Sequence, residues 1–191
     1  TLVNQLYALN LDITKALLWS AQQDGADLLV ITGDISNASR HEQHEALLEL
    51  LNEARENGLN ILVLDGNHDI GKTTPAEFAE YYADFGYKDA YSRDTASLSY
   101  SFHIPQAHII MMDTGGYTGT NLAGNVNAVT LSWLEGELKA AQEAGLPAIV
   151  FGHYPLLTAQ SGEFIGIQEM KQLLLDYRVP LYICGHMHGR H

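Results

Sequence analysis

Leu64-Asp65-Gly66-Asn67-His68-Asp69-Ile70 closes an apolar run that begins at Ile61. The run drives into a glycine turn and sets Asn67, His68 and Asp69 side by side. Three other segments share this grammar. Residues 28–36 (LLVITGDIS) end their apolar run at Gly33-Asp34, and residues 148–155 (AIVFGHYP) at Gly152-His153. Residues 181–188 (LYICGHMH) end at Gly185-His186, with His188 two positions on. Four apolar runs, each closed by glycine and a metal-competent side chain, predict one site assembled from four strand ends.

The segments between these runs read as helices. Apolar residues at Leu2, Leu6, Leu9, Ile13, Ala16 and Leu17 have helical spacing, as do Ala46, Leu47, Leu50, Leu51 and Ala54. Ser39 is a candidate N-cap for the second of these helices. Pro75 suits the first turn of another, running to about residue 85. Leu131, Trp133, Leu134 and Leu138 mark a fourth, and residues 168–177 a fifth. The apolar run 28–32 reads as a strand buried on both faces, 61–64 as a second buried strand and 181–184 as another, and 98–104 with 108–112 as an antiparallel pair turned at Pro105. Strands alternating with helices give an α/β class, in which ligands collect at the carboxyl ends of the strands. The polar residues lie at those ends.

At 191 residues the chain fits one domain, 1–191, with a candidate cap or insert at 71–100 and a candidate active-site loop at 114–130. Ten Lys and Arg against 23 Asp and Glu leave a net charge of −13, which opposes binding to a long polyanion such as nucleic acid. A small phosphorylated substrate remains compatible, because bound cations offset the excess locally. The single Cys184 excludes an intrachain disulfide, and no apolar run approaches the roughly 20 residues of a membrane span.

Asp34, Asn67, His153, His186 and His188 form a mixed oxygen and imidazole set, which suits Mn, Fe, Zn or Ni better than Ca or Mg. A carboxylate such as Asp34 has two oxygens and can bridge two cations. His186 and His188, at i and i+2, share a face of an extended segment. Two metals roughly 3.5–4 Å apart are a clamp for phosphoryl chemistry. His68 is the candidate proton donor, and Asp69 the candidate group to fix its tautomer and raise its pKa.

The order Gly33-Asp34-x-x-Asn37, Gly66-Asn67-His68-Asp69, Gly152-His153-Tyr154-Pro155, Gly185-His186-Met187-His188 resembles the calcineurin-like metallophosphoesterase superfamily. Four of that family's five motifs are present in order, and residues 131–138 (LSWLEGEL) resemble the helix it carries between its third and fourth motifs. The resemblance implies a four-layer fold, two β-sheets sandwiched between helices. It implies two transition-metal ions (Mn, Fe or Zn), with Asp34 bridging them, Asn67, His153 and His186 on one, and His188 on the other. His68 would be the acid, and metal-bound hydroxide would attack without a covalent intermediate. The family's first motif, Asp-x-His, does not occur before Gly33, which implies a chain that begins after the family's first strand and stops before its last ones.

The function expected is a metal-dependent phosphoesterase acting on a phosphodiester or phosphomonoester. The alternatives are a protein phosphatase or nuclease on the same scaffold, or an interaction module whose metal site has degenerated. The remaining residues read as structural. His41, His44, His103 and His108 are expected at the surface and Cys184 in the core. His191 could reach a substrate phosphate or lie at a frayed end, and the tyrosines between 81 and 100 read as packing before they read as a substrate cap.

Overall fold

The computed structural model describes residues 9–115, 124–156 and 165–187. The chain runs α1 (Asn10–Gln23), β1 (Leu28–Thr32), α2 (His41–Glu56), β2 (Asn60–Leu64) and α3 (Pro75–Tyr81). It continues through β3 (Ser92–Arg93), β4 (Tyr100–Ile104), β5 (Ala107–Met112), α4 (Ala128–Glu143), β6 (Ala148–Gly152), α5 (Ile167–Asp176) and β7 (Leu181–Cys184). β1 and β2 pair in parallel as a small sheet. The second sheet has the order β3-β4-β5-β6-β7, antiparallel from β3 to β5 and parallel from β5 to β7.

Alternation along β5 divides the interior in two. Ile109 and Met111 face the small sheet, where they join Leu62, Leu64, Tyr100 and Phe151 and the α2 residues Leu47, Leu50 and Leu51. Ile110 and Met112 face the other way, onto Leu134 and Leu138 of α4 and Met170 and Leu174 of α5. Both faces of β5 are therefore buried, and helices cover the outer sides of both sheets. This is the expected layering.

Several local expectations fail for identifiable reasons. β1 is only half-buried, because β2 is its sole partner among the described residues and a groove of about 810 Å³ runs beside it between α1 and α2. β7 is the edge of its sheet, so Leu181, Ile183 and Cys184 are exposed, and Cys184 is not a core residue. α2 is preceded by Arg40 without a side-chain cap, while Ser39 turns back to accept the Lys72 N–H at 2.7 Å. α3 starts on a Thr74–Glu77 capping box at Pro75 as expected but stops at Tyr81. The chain then kinks at Gly86, φ +122°, where any Cβ would run into the Tyr100 ring. Tyr82, Tyr87 and Tyr100 are buried around this kink and are packing, whereas Tyr91 is exposed. The Tyr100 hydroxyl donates to the Val63 carbonyl at 2.9 Å and ties the two sheets together.

Two histidines expected at the surface are buried, and each has found a polar partner. His44 Nδ1 lies 2.9 Å from the Tyr82 hydroxyl. His108 Nε2 lies 2.9 Å from Glu137 Oε2 on α4. Burial works to raise the Glu137 pKa, but hydrogen bonds from His108, Ser101 and Ser92 and the charge of His108 together outweigh it and hold the carboxyl below its usual range. A depressed folded pKa stabilises the fold above the unfolded value of 4.5 and loses that contribution as pH falls through the folded one. Glu137→Gln is therefore expected to cost roughly 1–3 kcal/mol at neutral pH. The gap to the parent chain should narrow below pH 4.5, as read by denaturant unfolding at several pH values. A gap independent of pH would remove the ionic contribution from this account.

Candidate metal centre

Four strand ends deliver the site. Beyond β1, Gly33 and Asp34 both take the left-handed region, φ +90° and +55°. A Cβ on Gly33 would lie 2.6 Å from the Gly66 nitrogen, and one on Gly66 would strike the Asp34 nitrogen. The loops after β1 and β2 thus cross backbone to backbone, and only glycine fits at either crossing point. His186, after β7, also sits at positive φ, +70°. A non-glycine residue in this region is uncommon and clusters where function fixes a side chain.

Asp69 holds the crossing together. Its carboxylate accepts the Ser36 N–H at 2.7 Å, the Gly66 N–H at 2.8 Å and the Ile35 N–H at 3.2 Å. Burial pushes its pKa up to about 6, against the lowering effect of these three donors. Ser36 Oγ donates to the His68 carbonyl at 2.9 Å, adding a further stitch. The expected contact between Asp69 and the His68 ring is not formed, because the three orphan amides claim the carboxylate first. The His68 ring instead donates from Nδ1 to the Asn37 carbonyl at 3.1 Å. The ring is exposed, and the His68 N–H donates to Asp34 Oδ1 at 3.1 Å.

Asp34, Asn67, His153 and His186 converge. His153 Nε2 lies 3.3 Å from Asp34 Oδ1, 3.1 Å from Asn67 Oδ1 and 3.2 Å from His186 Nδ1. His186 Nδ1 lies 3.1 Å from the same Asn67 oxygen. Asp34, His153 and His186 offer ligand atoms that all lie within 4.8 Å of one another. His153 is fully buried, and its Nδ1 faces the Thr32 carbonyl at 2.8 Å. A carbonyl only accepts, so Nδ1 carries a proton, and Nε2 is the nitrogen that faces the cluster. Burial would raise the Asp34 pKa, but the His153 bond and charge and the His68 amide bring it down to about 2. Burial works against charge on His153, yet Asp34 and the Thr32 carbonyl raise its pKa overall. A carboxylate oxygen, an amide oxygen and two imidazole nitrogens crowded at 3.1–3.3 Å are a donor set that a borderline cation fits. His188, the fifth expected ligand, lies outside the described residues, as does His191.

One contributor escaped the sequence reading. Thr114, two residues beyond β5, is fully buried, and its Oγ1 accepts the His153 N–H at 3.1 Å and the Tyr154 N–H at 3.0 Å. Met112-Asp113-Thr114-Gly115 is a fifth apolar run closed by polar residues and glycine, with the glycine last rather than first. That inversion of the pattern was the available signal. Tyr154 is buried beside it, with its ring 4.3 Å from that of His186 between centroids.

The sequence profile of the calcineurin-like phosphoesterase family matches residues 6–190. Purple acid phosphatase 23 of Arabidopsis thaliana is 29% identical over 134 residues, covering 67% of this chain and 28% of the relative. The glycerophosphodiester phosphodiesterase GpdQ of Enterobacter lignolyticus is 27% identical over 188 residues, covering 94% of this chain and 62% of the relative. The chain thus spans less than two thirds of the length of either relative. Among solved structures, a dimetal phosphatase from Danio rerio superimposes with a TM-score of 0.67 over 95% of this chain and 73% of that one. Sequence identity there is 12%, so the likeness is one of fold.

Proposed function

Because this chain belongs to the calcineurin-like phosphoesterase family, we propose that it hydrolyses a small phosphate ester at a metal centre built on Asp34, Asn67, His153 and His186. The observation that carries the reading is the convergence of those four side chains around His153 Nε2. They would hold one cation. His188, with Asp34 as the shared carboxylate, would help to hold a second. Two such ions supply a nucleophile from water at neutral pH and neutralise charge on the phosphoryl oxygens.

The remaining work falls to this chain's own groups. His68 stands next to ligand Asn67 but outside the cluster, with Nδ1 tied to the Asn37 carbonyl. That bond fixes the ring and leaves Nε2 as the nitrogen able to hand a proton to the departing alcohol oxygen. Asp69 acts one step back. It locks the Gly66 turn to the Ile35-Ser36 turn, which keeps His68 and Asp34 at constant spacing. The acidic balance, −13 over the chain, favours a singly charged diester over a doubly charged monoester and disfavours nucleic acid.

The test is hydrolysis of bis(p-nitrophenyl) phosphate and p-nitrophenyl phosphate by the Mn²⁺-loaded chain, before and after chelation. Chelator-sensitive turnover, faster on the diester, is expected. A chain that takes up Mn²⁺ yet cleaves neither ester would leave a binding module as the surviving reading.

A further inference from the structure

We propose that Thr114 is a positioning residue for the metal centre. Its single hydroxyl oxygen sets where the His153 imidazole stands and, through the Tyr154 ring, where the His186 imidazole stands. This rests on the reading of the four converging side chains as a cation site. The β5–β6 ladder ends at the pair Met112–Gly152. The two N–H groups that follow on β6, those of His153 and Tyr154, have passed beyond the ladder's acceptors. Successive N–H groups in a strand point to opposite sides, so one oxygen can take both only where the chain turns sharply. It bends at His153 and Tyr154, directly after Gly152 ends β6. Thr114 Oγ1 sits inside that turn and accepts both donors, at 3.1 Å and 3.0 Å. It is fully buried, so bulk water does not compete for the position.

The consequence reaches two ligands. Outside the donor cluster, His153 has three anchors: its N–H on Thr114, its carbonyl accepting the Gly185 N–H at 3.0 Å, and its Nδ1 on the Thr32 carbonyl. Of these three, only the first is supplied by a side chain. The second bond runs to Tyr154, whose ring packs against His186, while the Tyr154 carbonyl is held by the Tyr182 hydroxyl at 2.7 Å. Losing the Thr114 oxygen frees the backbone of one ligand and the aromatic wall behind another. Groups that orient metal ligands typically shift metal affinity by about 10–100-fold when removed.

The experiment is titration of the apo chain with Mn²⁺ by calorimetry, well below the melting temperature of each apo variant. Thr114→Val keeps the shape and removes the oxygen, Thr114→Ser keeps the oxygen, and Thr114→Ala removes both oxygen and methyl. The Val form is expected to bind Mn²⁺ about 10–100-fold more weakly than the parent, and the Ser form within about threefold of it. Equal affinity in Val and parent, or a Ser form as weak as Val, would overturn the proposal by showing that the hydroxyl oxygen is not what matters. If the Val chain fails to fold, the Ser and Ala forms decide: a weak Ala form beside a tight Ser form supports the assignment, and equal affinities overturn it. A parent chain that binds no Mn²⁺ overturns this proposal together with the cation site on which it rests, whereas a parent that binds while the variants match it overturns only the role of Thr114.

Discussion

His153→Ala is expected to strip the chain of its metal and to lower kcat/KM by at least about 10²–10³-fold, the scale of losing one group that stabilises charge in the transition state. His153 Nε2 is the atom on which Asp34, Asn67 and His186 all converge, at 3.1–3.3 Å. Alanine would leave the Asp34 carboxylate without the partner that does most to lower its pKa, and it would leave the Thr32 carbonyl without its donor. The check is a metal count per chain by mass spectrometry beside steady-state kinetics on the same preparation. Parent-like metal content in the alanine form would place the cation elsewhere and sink the assignment.

His68→Ala should behave differently, with metal content unchanged and kcat reduced by about 10²–10⁴-fold, the usual contribution of a general acid. The ring bonds to the Asn37 carbonyl and does not enter the donor cluster. Its main-chain N–H, which donates to Asp34, survives the substitution. A proton donor matters most when the departing oxygen is basic. The loss should therefore be large for an alkyl ester and small for a p-nitrophenyl ester. A series of esters with graded leaving groups measures this directly. An equal loss across the series would show that His68 binds or orients substrate instead of protonating it.

The strand ends were legible because glycine marks them and the residues after it are chemically distinctive. Gly66-Asn67, Gly152-His153 and Gly185-His186 each announce a turn and a candidate ligand in adjacent letters, and the three candidates meet in space. Reading failed where one residue type serves two physical ends. Asp69 beside His68 invites pairing with the imidazole, yet its carboxylate is taken by three amides from two loops. His44 sits in a polar stretch and His108 next to the turn at Pro105, and nothing local reveals that Tyr82 and Glu137, 38 and 29 positions away, supply partners that permit burial. β7 has the composition of a central strand but the position of an edge, and position is a property of the assembled sheet. Thr114 was missed because a hydroxyl after a strand is ordinary until its two donors are seen.

The crossing of Gly33 over Gly66 has a further consequence for how such a site can change. A Cβ on Gly33 would meet the Gly66 nitrogen and the Asp65 carbonyl, and one on Gly66 the Asp34 nitrogen, so main chain blocks a side chain at both positions. The separation of Asp34 from Asn67 is consequently written in main chain, below the level at which ordinary point substitution acts. A change in what the site accepts is therefore to be sought in the walls around this floor and not in the floor itself.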